Sequence, residues 1–157
     1  MKGRVLLFVN RGVNMQLVRI ARRRWDVLAY RDHRGSCPVL DFLEGLTGSY
    51  LAAAEQMLRL LVQIIPENGP PKTEPLCKSL GDGLFELRKQ PKGKKLRVVW
   101  FYGTGAVIVC VAAFTKAERT PRAEIDRARA LQREYWEARR HGRLEIVPRR
   151  SDAPGEP

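Results

Sequence analysis

The sequence predicts an α+β domain in the order β-α-α-β-β-β-α, with helices packed on one small, mainly antiparallel sheet. Three observations carry that prediction. Helical apolar spacing runs over residues 38–65, strand-like runs crowd residues 83–114, and a last amphipathic stretch follows Thr120-Pro121. At 157 residues the chain is long enough for one domain with a real core and ordinary tails.

Residues 1–24 hold seven Lys or Arg and no acidic residue, with weak apolar patterning. They read as a basic arm, with Met15 as an alternative start. The domain proper is expected over residues 25–140. The run Trp25-Asp-Val-Leu-Ala-Tyr-Arg-Asp32 is the first strand candidate, closed by Arg34-Gly35-Ser36. Pro38 opens a short helix with Val39, Phe42, Leu43 and Leu46 on one face. Proline suits that first position because its missing N–H has no helical partner there.

Gly45 and Gly48 break the pattern, and Thr47 or Ser49 is placed to cap a second helix. Its apolar face is Leu51, Ala54, Met57, Leu58, Leu61, Val62 and Ile65, and Glu55 with Arg59 forms an i,i+4 pair. Pro66-Glu-Asn-Gly69 is expected to stop it, and Pro70, Pro71 and Pro75 make the next stretch a loop. Strands are expected over residues 83–89, 96–102 and 106–114. The last of them, AVIVCVAAF, is apolar enough to be buried on both faces. Thr120-Pro121 should cap a final helix with Ile125, Ala128, Leu131 and Tyr135 inward and Arg122, Arg129, Arg133 and Arg140 outward. Residues 141–157 are polar, charged and proline-bearing, and read as a flexible tail.

Composition bears on partners. There are 29 Lys plus Arg against 17 Asp plus Glu, a formal net charge of +12. Such an excess favours polyanions, nucleic acid or an anionic surface. The odd, widely spaced cysteines Cys37, Cys77 and Cys110 form no CxxC pair, and His33 and His141 complete no metal-ligand spacing. No metal, no cofactor and no disulfide are therefore expected. The opening MKGRVLLFV is too short in its apolar part for a signal peptide, and residues 50–65 carry Glu55, Gln56, Arg59 and Gln63. A cytoplasmic protein without a membrane partner is the expectation.

The hairpin holds the candidate chemistry. A period of two puts Glu86 and Arg88 on one face of their strand, and Arg97, Val99 and Phe101 on one face of the next. If the turn sets Arg88 opposite Arg97, two cations face each other, which is unfavourable without an anion. Lys116 and Arg119 arrive just after the third strand and can reach the same rim. The alternative is that Glu86 simply bridges the arginines. Such a cluster suits metal-free RNA cleavage, in which the RNA's 2′-hydroxyl attacks the adjacent phosphate and arginine stabilises the developing charge. The base would be a lysine with lowered pKa or Glu86. Lys89, Lys94, Lys95 and Tyr102 are the further RNA-binding candidates, Tyr102 by stacking on a base; Trp100 is assigned to the core.

The runs Leu80-Gly-Asp-Gly-Leu-Phe-Glu-Leu-Arg88, Leu96-Arg97-Val-Val-Trp-Phe, Ala113-Phe114-Thr-Lys116 and Arg119-Thr-Pro121 resemble the HigB-like branch of the RelE/ParE toxin superfamily. That resemblance covers residues 25–140 and is strongest over residues 80–128. It implies a RelE-like fold, cleavage of messenger RNA on the ribosome, and inhibition by a small cognate antitoxin, often of helix-turn-helix type. By position Arg97 matches the family's catalytic-type arginine, Arg88 the arginine of the E-L-R strand, and Lys116 the first lysine of F-x-K-K. The chain departs from the pattern at Ala117, where a second lysine stands, and at Leu96, where an aromatic stands; Tyr135 lies too far along to match the tyrosine of the last segment. Besides the ribosome-dependent endoribonuclease toxin, two readings fit the same fold: a non-catalytic, ParE-like gyrase inhibitor that works by binding a protein, and an inactive RNA-binding remnant.

Overall fold

Seven strands join in a single sheet in the computed structural model, which describes residues 14–116 and 120–149. In chain order they are β1 (Met15–Arg22), β2 (Asp26–Arg31), β3 (Cys77–Gly81), β4 (Leu84–Lys89), β5 (Leu96–Tyr102), β6 (Val107–Thr115) and β7 (Leu144–Pro148). Their order across the sheet is β3-β4-β5-β6-β2-β1-β7. The pairs β1/β2, β3/β4, β4/β5 and β5/β6 are antiparallel, while β2/β6 and β1/β7 are parallel. The α+β class holds, and the sheet is larger than the sequence pattern suggested.

Helix α1 is Pro38–Gly45. Helix α2 begins at Leu51–Arg59, passes through a π-helical stretch at Leu60–Ile64 and ends in Ile65–Asn68. Pro66 therefore does not stop it. The residue before it is already helical and the turn is closed by Gly69, whose φ of 83° favours glycine. Helix α3 is Arg122–Arg140. The helices cover both faces of the sheet. On one side α1 and α2 bury Val39, Leu43, Met57 and Leu61 against Val27, Val98, Trp100 and Ile108. On the other, α3 buries Ala128, Leu131 and Tyr135 against Leu17, Leu84, Phe101 and Val109. With both faces covered, β6 is buried along nearly its whole length, as its apolar run requires.

Two boundaries expected from the sequence are corrected. Residues 1–13 lie outside the described residues, but Met15–Arg22 is no arm: it forms β1, between β2 and β7. Its basic character had masked it. Arg19 forks onto Asp26 of β2 through Nε and Nη2, each at 2.9 Å, while Leu17, Val18 and Ile20 enter the two cores. Likewise Leu144–Pro148, expected within a loose tail, is edge strand β7, paired in parallel with β1. The capping expectations also change: neither Thr47 nor Ser49 caps α2, and α3 starts from Pro121 without a side-chain cap. Strand β3 is hidden in the proline-rich stretch, where a five-residue strand pairs with β4 through Cys77↔Leu87 and Lys78↔Glu86.

Candidate functional site

Strands β4 and β5 meet in the register that places Arg88 directly opposite Arg97 and Glu86 opposite Val99. Strand alternation then puts Glu86, Arg88 and Arg97 on the α3 face, because Leu84, Val99 and Phe101 in the same rows pack in that core. Lys116 joins them through an irregularity in β6. Val99 pairs with Ala112 and Trp100 with Cys110, so Val111 is an extra residue. The bulge reverses the alternation: Val111 and Ala112 both lie in the α3-side core, as does Phe114. Even-numbered positions beyond it thus run toward the Glu86 side. The backbone N–H of Lys116 donates to the carbonyl of Lys95 at 2.9 Å, continuing the β5/β6 pairing by one residue.

At the centre is a carboxylate. Glu86 is 0% exposed, and its Oε1 lies 3.4 Å from Arg97 Nε, 3.6 Å from Arg88 Nε and 3.8 Å from Lys116 Nζ. The bridging alternative read from the sequence is thus met, and extended from two cations to three. No one of these contacts is a full hydrogen bond, since Glu86 Oε1, Arg88 Nε and Arg97 Nε are buried without a hydrogen-bond partner among the described residues. The other oxygen, Oε2, accepts the hydroxyl of Thr120. Thr120 therefore ties the entry of α3 to the middle of β4, in place of capping its helix. Arg97 donates from Nη1 to the Leu96 carbonyl at 3.1 Å and from Nη2 to Gln90 Oε1 at 2.9 Å. Arg88 Nη1 donates to Glu74 Oε1 at 3.0 Å, on the loop between α2 and β3.

Burial grades the cluster from inside to outside. The side chains of Arg97 and Lys116 are 1% and 5% exposed, and that of Arg88 is 19% exposed. Burial, then the neighbouring Arg88, pushes the Arg97 guanidinium below its ordinary value, with Glu86 opposing. Burial likewise lowers Lys116; Glu86 opposes it, and Arg97, Arg88 and Lys78 add to it. Glu86 and Glu74 together cannot neutralise Arg88, Arg97 and Lys116, so the cluster carries a positive surplus. Lys78, paired across β3/β4 with Glu86 and exposed, adds to that surplus; the sequence alone does not mark it because the prolines around β3 read as loop. Gln90 and Glu74 were missed as well, as partners brought in by the turns rather than by strand periodicity.

The remaining candidates do not join this cluster. Tyr102 lies on the opposite face, packed against Trp25, Phe85 and Trp100, because along β5 it alternates with Phe101. Lys89 follows Leu87 onto that same α1/α2 side by alternation. Lys94 sits with Nζ 5.8 Å from the ring centre of Tyr50, the residue that leads into α2. Lys95 touches the site through its backbone, and Arg119 lies outside the described residues. Trp100 is fully buried, as the sequence placed it. The three cysteines are buried thiols, Cys37 pushed up to about 11 by burial. Among the described residues no group of three or more His, Cys, Asp or Glu could hold a metal ion, and no helix is long and apolar enough to cross a membrane.

A family model described as "Phage derived protein Gp49-like" matches residues 51–133, more than half of the 157-residue chain and the whole span from α2 through the cation cluster into α3. No curated protein matches the chain.

Proposed function

The chain belongs to the family of phage-derived Gp49-like proteins, and on that premise we propose that it is the toxin of a type II toxin–antitoxin pair, an endoribonuclease that cuts messenger RNA on the ribosome. The observation that carries this reading is the register pair Arg88↔Arg97 over a buried, positively charged row that also holds Lys116. Placed at the phosphate, Arg88 binds its oxygens with a fixed fork, while Arg97 stabilises the growing negative charge from beneath, where a low local dielectric strengthens its field. The RNA 2′-hydroxyl gives its proton to the base as its oxygen attacks phosphorus, the bond to the 5′-oxygen breaks, and that oxygen takes a proton from water, leaving a 2′,3′-cyclic phosphate and a 5′-hydroxyl. Glu86 is committed to three cations and to Thr120 and acts as the anchor of the cluster. Lys116, whose pKa burial lowers, is the better base. The partners are messenger RNA on the ribosome and a cognate antitoxin, of helix-turn-helix type, whose acidic segment would match the chain's net charge of +12.

The test is induced expression in a bacterium, wild type beside Arg88→Ala and Arg97→Ala, with 5′-end mapping of cellular mRNA. New ends inside translated regions, lost with Arg88→Ala while the fold is kept by circular dichroism, support the nuclease.

One observation favours a second reading. Arg97 and Lys116 are nearly inaccessible and lie against Glu86, with Arg97 also held by Gln90 and the Leu96 carbonyl, which suits a structural ion network in a non-catalytic poison that binds a protein target, as in the ParE-like case. Growth arrest with intact mRNA would select it.

A further inference from the structure

We propose that Glu74 is a built-in competitor for the anion position of the cluster: its carboxylate occupies the outer donor of Arg88 and must be displaced before a phosphate can bind there. The inference deepens the proposed function, since it takes the Arg88 side of the cluster to be where phosphate enters.

Arg88 is held between two carboxylates of opposite character. Glu86 is fully buried and shared among Arg88, Arg97 and Lys116. Glu74 is 69% exposed, and its Oε1 takes a hydrogen bond from Arg88 Nη1 at 3.0 Å. An exposed ion pair is weak because both water and salt compete with it, whereas a buried one is costly to break. Glu74 is therefore the replaceable partner and Glu86 the fixed one. Its loop is anchored close by on either side, with Cys77 N–H donating to the Thr73 carbonyl at 3.1 Å and Arg88 N–H to the Leu76 carbonyl at 2.9 Å. The carboxylate is thus kept at the mouth of the cluster rather than reaching it by chance.

Charge decides what can displace it. With Glu74 in place, Arg88, Arg97 and Lys116 face two carboxylates; without it they face Glu86 alone, with Lys78 adding a fourth positive charge at the rim. An anion with a single acceptor atom gains little by the exchange. A phosphate group, whose free oxygens match the arginine fork, gains more. Glu74 accordingly acts as a selectivity residue that screens the site against weak anions.

Titration with inorganic phosphate tests this, followed by NMR at the arginine Nε–H resonances, in wild type, Glu74→Gln, Arg88→Gln and the double variant. The expected result is phosphate binding at the Arg88 resonance roughly two- to fivefold tighter in Glu74→Gln than in wild type, the range an exposed pair can contribute. Both the binding and the gain should vanish in Arg88→Gln. Equal affinity in wild type and Glu74→Gln, a gain that persists in Arg88→Gln, or no binding at Arg88 in any form overturns the proposal. The nuclease reading stands or falls separately. Phosphate binding gated by Glu74 in a protein that leaves mRNA intact keeps this inference and removes the nuclease, and mRNA cleavage with no effect of Glu74→Gln on phosphate affinity does the reverse.

Discussion

Arg88 and Arg97 face each other directly across β4 and β5, and the carboxylate between them, Glu86, comes from the same strand as Arg88, two residues away. Like charges in opposite register destabilise a sheet unless an anion sits with them. The cluster is therefore stable only as a set, and its members are not interchangeable.

The isosteric change Glu86→Gln removes the anchoring charge and leaves Arg97 and Lys116 buried without it. Loss of one partner from a buried network costs about 3–5 kcal/mol. Urea unfolding should show a lower midpoint with an unchanged slope. A midpoint equal to wild type would mean that Glu86 does not hold the cations.

Thr120→Val keeps the shape of the side chain and removes the donor to Glu86 Oε2. A hydrogen bond to a charged group contributes about 1.5–3 kcal/mol, and Thr120→Ser should recover most of it. Had Thr120 served as a helix cap, the serine would recover helix content instead; the circular dichroism of α3 should be the same in all three proteins.

Lys116 carries a pH signature. Its folded-state pKa lies below the ordinary 10.5, first through burial, so the charged form is penalised in the folded protein. That penalty is present in full below the folded-state pKa. As pH rises toward 10.5 the unfolded chain holds more protons than the folded one, and stability rises. The difference in unfolding free energy between wild type and Lys116→Met should shift in favour of wild type across that alkaline window. A difference independent of pH would remove the cause assigned to the shift.

Deleting residues 1–24 removes β1, whose Leu17 is fully buried, and leaves β2 and β7 without the strand between them. The truncated chain should fail to give a cooperative thermal transition. The milder Leu17→Ala should cost about 2–5 kcal/mol, read by urea unfolding. A truncated chain that melts like the full one would restore the basic-arm reading.

The elements that the sequence announced are those whose side chains repeat with one clear period. Pro38–Gly45, the 19 residues of α3 and strands β4 and β5 each show it, β6 announces itself by its apolar run instead, and the shared face of Glu86 with Arg88 and of Arg97 with Val99 follows from the period. Strands β1, β3 and β7 did not. In β1 a bulge between Arg19 and Ala21 breaks the alternation, β3 is five residues beside prolines, and exposed edge strand β7 buries no full face. The second bulge, at Val111, is equally silent in an apolar run, yet it turns Lys116 toward Glu86.

By itself, then, the sequence determined the α+β class, the central hairpin and which residue types could meet on its face, because those follow from local periodicity and covalent order. Only the tertiary structure decided that Arg97 is buried while Arg88 reaches solvent, that Thr120 binds Glu86 rather than its own helix, and that Tyr102 and Lys94 turn away. Those outcomes depend on register, bulges and the packing of helices on both faces, which are relations between residues far apart in the chain.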